Sequence, residues 1–185
     1  KYNRIATFFN VRNLNIVNCY IHDGNNQLLE VKGGENILIR DSKFENAGKG
    51  ICGVGIHGAK DVTIENIEIK NVQDLGLNVS NGARNVWIIN AKIHDCVSGI
   101  FVEVTEKDKP VEDIFINTCK TYNNKHDGIG LYSTAGYGLI RRVRIVGGQS
   151  TGNLRGIRSN GDDVLISMID VQGNKLVSIE VSALY

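Results

Sequence analysis

Apolar and polar residues alternate in short runs along this chain, and the runs recur. In the stretch 86–104, VWIINAKIHDCVSGIFVEV, an opening apolar pair, Val86 and Ile88, is followed by a closing pair, Ile100 and Val102. Opening pairs recur at Leu14/Ile16, Ile37/Ile39, Val62/Ile64, Ile114/Ile116, Val143/Ile145 and Val164/Ile166, which makes seven copies. Closing pairs recur 14 to 17 residues later, at Leu29/Val31, Val54/Ile56, Leu77/Val79, Ile129/Leu131, Ile157/Ser159 and Ile179/Val181. Alternation at period two places such pairs on one face of a strand, and no window has helical spacing. Successive opening residues are 23, 25, 24, 28, 29 and 21 apart. A repeat at this period marks a solenoid or an array, and a propeller blade needs about forty residues. Each copy holds three short strands separated by Asn, Asp and Gly. The pattern predicts an all-β fold, a single-stranded right-handed parallel β-helix of about seven coils, stacked about 4.8 Å apart.

The turns carry their own repeat. Four residues after the opening residue stand Asn18, Asp41, Asn66, Asn90, Thr118 and Gly147; nine after it stand Asp23, Asn46, Asn71, Asp95 and Asn123. Asn, Asp and Gly tolerate left-handed backbone, and stacked amides can bond to one another as ladders. His22 and His94 belong to the same turn series and are read as structural. Residues 1–12 read as a partial coil, with Ile5, Phe8 and Phe9 covering the first full one. The repeat predicts a single domain over 1–185, and the start on Lys1 suggests a piece excised from, or flanked by, further sequence. Exposed coil ends need cover, from a homotrimer, end-to-end stacking or flanking domains.

Charge and cysteines narrow the picture. With 21 Lys and Arg against 20 Asp and Glu, the net charge of +1 gives no global field toward nucleic acid or a membrane surface. No apolar run is long enough to span a membrane. Cys19 and Cys119 occupy the same slot in the first and fifth copies, roughly 19 Å apart by stacking, whereas a disulfide needs Cα atoms within about 7 Å. Four free thiols are expected, mainly as small buried hydrophobes.

Candidate chemistry lies on the closing strands. If Leu29, Val54, Leu77, Ile100, Ile129 and Ile157 face inward, the row three residues on faces outward: Lys32, His57, Ser80, Glu103, Tyr132 and Asn160. Beside it runs the row Glu30, Gly55, Asn78, Phe101, Gly130 and Arg158. Closing and next opening residues are 7 to 9 apart in four copies but 14 apart in two adjacent ones. The inserted segments, TEKDKP at 105–110 and STAGYG at 133–138, should therefore stand side by side as a wall along this stripe. Function collects on such loops. Lys107, Lys109, Lys125, Arg141, Arg142, Arg144, Arg155 and Arg158 are expected to crowd here and to favour an anionic partner.

The repeat resembles the pectate-lyase-like β-helix superfamily, over nearly the whole chain. Locally, YNNKHDGIGLYST at 122–134 and IVGGQSTGNLRGI at 145–157 are similar to mannuronan C5-epimerase modules. Their signature Tyr-Gly-Phe-Asp-Pro-His falls on Leu75-Gly76-Leu77-Asn78-Val79-Ser80, so its Tyr, Asp and His are absent, and the Arg and His of the later run fall on His126 and Asp127. The resemblance implies a polysaccharide partner and a β-helix fold, with lyase, epimerase or glycoside hydrolase chemistry if the protein is an enzyme. No metal and no cofactor is expected, since clustered aspartates are missing from the stripe.

Removing the proton next to a uronate carboxylate needs a base, a proton donor and a neutraliser of developing charge. Tyr132 suits acid or base, Glu103 or His126 the base, and Arg158, Lys107 or Asn160 the neutraliser. His57, Asn78, Phe101, Lys107, Tyr137 and Asn160 are the candidate glycan-binding residues. Three functions stay open: an extracellular β-helix that recognises an anionic polysaccharide and processes it, one that binds the polysaccharide without chemistry, or a non-catalytic structural or adhesive module of a phage tail spike or surface assembly, on a virion.

Overall fold

Val, Ile and Leu at alternate positions favour extended backbone and turn their side chains to one face. The computed structural model describes residues 5–50 and 52–182, and within them every regular element is a strand. Each strand pairs in parallel with its counterparts in neighbouring coils. Three columns result. Opening strands are residues 14–17 of Ala6–Val17, 37–40 of Leu29–Arg40, then Lys60–Glu65, Arg84–Ile89, Val111–Asn117, Ile140–Val146 and Asp162–Ser167. Middle strands are Tyr20–Gly24, Lys43–Ala47, Glu68–Val72, Lys92–His94, Lys120–Tyr122 and Gln149–Thr151. Closing strands begin with residues 29–32 and continue as Cys52–His57, Leu75–Ser80, Ser98–Val104, Asp127–Ser133, Arg155–Ser159 and Val177–Val181. The chain is a right-handed parallel β-helix of about seven coils.

Register follows the repeat. Ile37 pairs with Val62, Val62 with Val86, Val86 with Ile114, Ile114 with Val143 and Val143 with Val164. The opening and closing apolar pairs of every full coil from the second to the fifth are buried. One detail differs from the expected three separate strands. In Ala6–Val17 and Leu29–Arg40 the closing strand runs straight into the next opening strand, joining both columns into one 13-stranded sheet. Gly33 and Gly34 make the bend inside the second of these at φ 70 and 99; a Cβ on Gly34 would stand 2.2 Å from the carbonyl oxygen of Val11.

Residues 6–11 stack on residues 29–34 as the closing strand of a partial coil. Phe8, opposite Val31, packs on the core. Phe9 does not cover the coil as expected: opposite Lys32, it points outward and is 62% exposed, and Ile5 is 49% exposed. The expectations for residues 1–4 and 183–185 lie outside the described residues.

The turns hold the expected ladders. Both predicted slots have left-handed backbone, from Asn18 (φ 54) through Asn123 (φ 56). The Asn46 amide donates to Asp23 at 2.9 Å and that of Asn90 to Asn66 at 2.8 Å. A third left-handed slot, Asn13, Asn36, Asp61, Asn85, Asp113, Arg142 and Asp163, sits one residue before each opening apolar pair. His94 bonds Asp95 at 2.7 Å and stacks on Tyr122, a structural role. All four cysteines are free thiols; burial pushes the Cys119 thiol up to about 11 and that of Cys96 to about 12.

Candidate active site

The closing strands present the two rows as a grid. Lys32 pairs with His57, His57 with Ser80, Ser80 with Glu103 and Glu103 with Tyr132; Glu30 pairs with Gly55, Gly55 with Asn78 and Asn78 with Phe101. The first inserted loop rises beside them. Asn81 takes hydrogen bonds on its side-chain oxygen from the backbone N–H of Thr105 at 2.9 Å and of Glu106 at 3.1 Å, and Lys109 bonds Glu106 at 2.6 Å. The second loop braces the first through the N–H of Asp108, which donates to the carbonyl of Tyr137 at 2.7 Å. The wall is therefore real. Between it and Phe9 lies an open cleft of about 700 Å³, floored by Glu30, Lys32, His57, Ser80 and Glu103.

Two polar groupings line this floor. In one, the Asn78 amide donates to Glu103 at 2.8 Å. Burial raises the Glu103 pKa above the usual glutamate range, against the pull of that hydrogen bond, and the charge of Asp74 adds to the rise. In the other, Glu30 is fully buried, with the Lys32 ammonium 3.2 Å and His57 Nε2 3.7 Å from its Oε1. His57 Nδ1 lies 2.6 Å from Ser80 Oγ. The imidazole fits because Gly55 has no side chain; a Cβ there would come within 2.6 Å of His57 Nε2.

A carboxyl with a raised folded pKa costs most when ionised, so its stability contribution is full below the unfolded pKa and is lost as pH rises through the folded one. Glu103→Gln should therefore melt above the wild type at pH 7, and the gap should close below about pH 4. Thermal unfolding at the two pH values measures this.

The remaining candidates are spread more widely. Tyr132 is next to Glu103 in register, and the Arg158 guanidinium lies 5.5 Å over its ring. Phe101 lies over Gly130, where a Cβ would meet its ring at 2.6 Å. Lys107 and Tyr137 are exposed on the two loops. Asn160 is a correction: its amide is spent on the backbone of Ser133, accepting at 2.8 Å and donating at 3.0 Å, so it clamps a strand end. His126 is another. It sits in the turn before Asp127–Ser133, its N–H bonded to the carbonyl of Val97 at 2.7 Å, six residues from Tyr132 and so about 20 Å away along the strand. Nor do the basic residues crowd the stripe. Arg141, Arg142 and Arg144 belong to the opening column and pair with Glu112, Asp113 and Asp163, while Arg155 pairs with Asp127 at 2.5 Å. Lys125 lies beside the middle-strand turns. Strands of different columns face different sides of the coil, which sequence proximity conceals.

Glu30, Lys32 and Ser80 stand in the predicted rows but had no assigned role. Their signal was the glycine at position 55, which lets one side chain reach across the grid. Among the described residues no cluster of three or more His, Cys, Asp or Glu could hold a metal ion.

Comparison with known proteins adds the following. A search of curated proteins gives no match. Among solved structures, the A-module of the mannuronan C-5 epimerase AlgE6 of Azotobacter vinelandii superposes with a TM-score of 0.83 at 18% identity, covering 92% of this chain and 45% of that one. A mutant of the periplasmic alginate epimerase AlgG superposes at 0.78 with 17% identity, over 92% of this chain and 38% of that one. The chain thus spans less than half of either, and at these identities the likeness is one of fold. A family model described as "Right handed beta helix region" matches residues 5–152, and the chain belongs to that family.

Proposed function

We propose that this chain is a polysaccharide-processing β-helix that acts on an anionic, uronate-bearing glycan by proton transfer at the carbon next to the carboxylate, outside the cytoplasm. One observation carries the reading: Glu103, a carboxyl with a raised pKa, stands on the floor of a walled, open cleft with Tyr132 next to it in register. Such a carboxyl is a stronger base than an exposed one and can take the proton, while Asn78 fixes its orientation. Tyr132 then returns a proton to the opposite face, as an epimerase requires, or protonates the leaving oxygen, as a lyase requires. Arg158, over the Tyr132 ring, balances the charge that develops on the uronate. The fold likeness to AlgE6 and to the periplasmic AlgG supports the substrate class and the location.

Proton NMR time courses with mannuronan, alginate and a neutral glucan test it, since new double bonds and inverted C5 centres have separate signals. The expected result is a change in a uronate glycan alone, slowed about 10²–10⁴-fold by Glu103→Gln. Line broadening without new signals would make the protein a binder, and a full rate in Glu103→Gln would remove Glu103 as the base.

A further inference from the structure

We propose that Ser80, His57 and Glu30 form a nucleophile–base–acid relay that hydrolyses ester groups carried by a glycan, a second activity in the same cleft. The three side chains stand in series, the first pair at hydrogen-bond distance and the second at ion-pair distance. The hydroxyl of Ser80 lies 2.6 Å from one imidazole nitrogen of His57, and the other nitrogen faces the Glu30 carboxylate at 3.7 Å. A hydroxyl bonded to a base that is itself oriented by a third group is the arrangement that activates serine. Three coils contribute one residue each, so the relay depends on stacking.

A solvated β-helix face has no use for this arrangement. Glu30 is 0% exposed, and burying a carboxylate is costly unless charged partners compensate it. Here the partners are the Lys32 ammonium and the His57 ring, and both line the cleft. The Glu30 charge therefore bears on the imidazole, where it stabilises the imidazolium that forms when serine gives up its proton.

The steps balance with water as the only co-reactant. Ser80 Oγ attacks the ester carbonyl carbon as its proton passes to His57 Nδ1. The carbon–oxygen bond to the sugar breaks, the sugar alkoxide takes that proton, and an acyl-serine remains. Water, deprotonated by His57, attacks the acyl-serine; the carboxylic acid leaves and the proton returns to Ser80.

That the ester sits on a uronate glycan rests on the function proposed above; the relay itself does not. The test incubates the protein with a fluorophosphonate probe and, separately, with 4-nitrophenyl acetate and with chemically O-acetylated alginate. Mass spectrometry should find the phosphonate on Ser80, and acetate release should fall about 10³-fold or more in Ser80→Ala. Glu30→Gln, a positioning variant, should lower kcat with KM unchanged. The uronate signals are read on unacetylated mannuronan, which carries no ester, so failure of one activity is read apart from the other. Label on another residue, or acetate release that survives Ser80→Ala, overturns the relay. Label and 4-nitrophenyl acetate turnover without release from acetylated alginate keep the relay and reject the glycan.

Discussion

Asn153→Ala should destabilise the protein by about 3 kcal/mol, because it strips partners from polar groups that no water reaches. Asn153 is 0% exposed. Its side-chain oxygen accepts from the backbone N–H of Asn124 at 3.0 Å and from the Asn124 amide at 2.9 Å. Its own amide donates to the carbonyl of Thr121 at 3.2 Å. The Asn124 oxygen in turn accepts from the N–H of Cys96 at 3.1 Å, and the oxygen of Asn174 accepts from the N–H of Asn153 at 3.0 Å. Four coils, those of Cys96, Asn124, Asn153 and Asn174, are tied through one column of asparagines in the turns before the later closing strands. Alanine leaves the Asn124 N–H and the Thr121 carbonyl buried without it, each a loss of roughly 1–3 kcal/mol. For a chain of this length the melting temperature should fall about 6–12 °C, read by circular dichroism. Asn46→Gly, in an exposed ladder, is the comparison and should shift it far less, because glycine keeps the left-handed backbone and water replaces the lost bonds.

That buried column was not legible in the sequence, whereas the exposed ladders were. Asn66 and Asn90 stand four residues after an opening residue and Asn46 and Asn71 nine after it, and a left-handed turn residue is confined to a few types, so the pattern survives drift. Asn124, Asn153 and Asn174 have no such counterparts in the early coils; Cys96 and Val72 occupy nearby turn positions there and are buried apolar residues. The middle strands make the same change. Ile21, Phe44, Ile69 and Ile93 stack inward in register, and then Thr121 and Ser150 take the place, hydrogen-bonded to each other at 3.0 Å. The middle column of the core thus passes from apolar to polar along the axis, which a search for apolar alternation reads as loss of signal.

The site was half legible for a related reason. Period two and constant register put Lys32, His57, Ser80, Glu103 and Tyr132 in one row, and the grid confirms each neighbour. What register cannot give is how far a side chain reaches. Glu30 stands in an outward row yet is sealed, because the His57 ring folds over Gly55 and covers it. Asn160 stands in the stripe yet bonds back to Ser133. The opening and closing strands of one coil are neighbours in sequence, but they face different sides, so counting basic residues near 141–158 merges surfaces that the coil separates.

Phe44→Ala should be the most damaging single change to the early coils, at about 3–5 kcal/mol. Phe44 is among the largest side chains with no exposure and lies between Ile21 and Ile69 in the inner stack of the middle strands. Truncation removes the transfer free energy of the ring and leaves a cavity that neighbouring coils cannot close, since their spacing is fixed by backbone hydrogen bonds on both sides. The melting temperature should drop about 6–20 °C, against almost none for Leu165→Ala on the 48% exposed outer face. The position of the loss matters as much as its size. Stability in a solenoid is close to a sum of coil and nearest-neighbour terms, and Phe44 belongs to the coil that ends in Cys52–His57, carrying His57 to the cleft. Amide hydrogen exchange in Phe44→Ala should therefore speed up first in Lys43–Ala47 and Cys52–His57, while Val111–Asn117 and Asp127–Ser133, three coils away, keep their protection. Uniform loss of protection would mean that the coils open together, and that the His57 coil cannot loosen without the Glu103 coil.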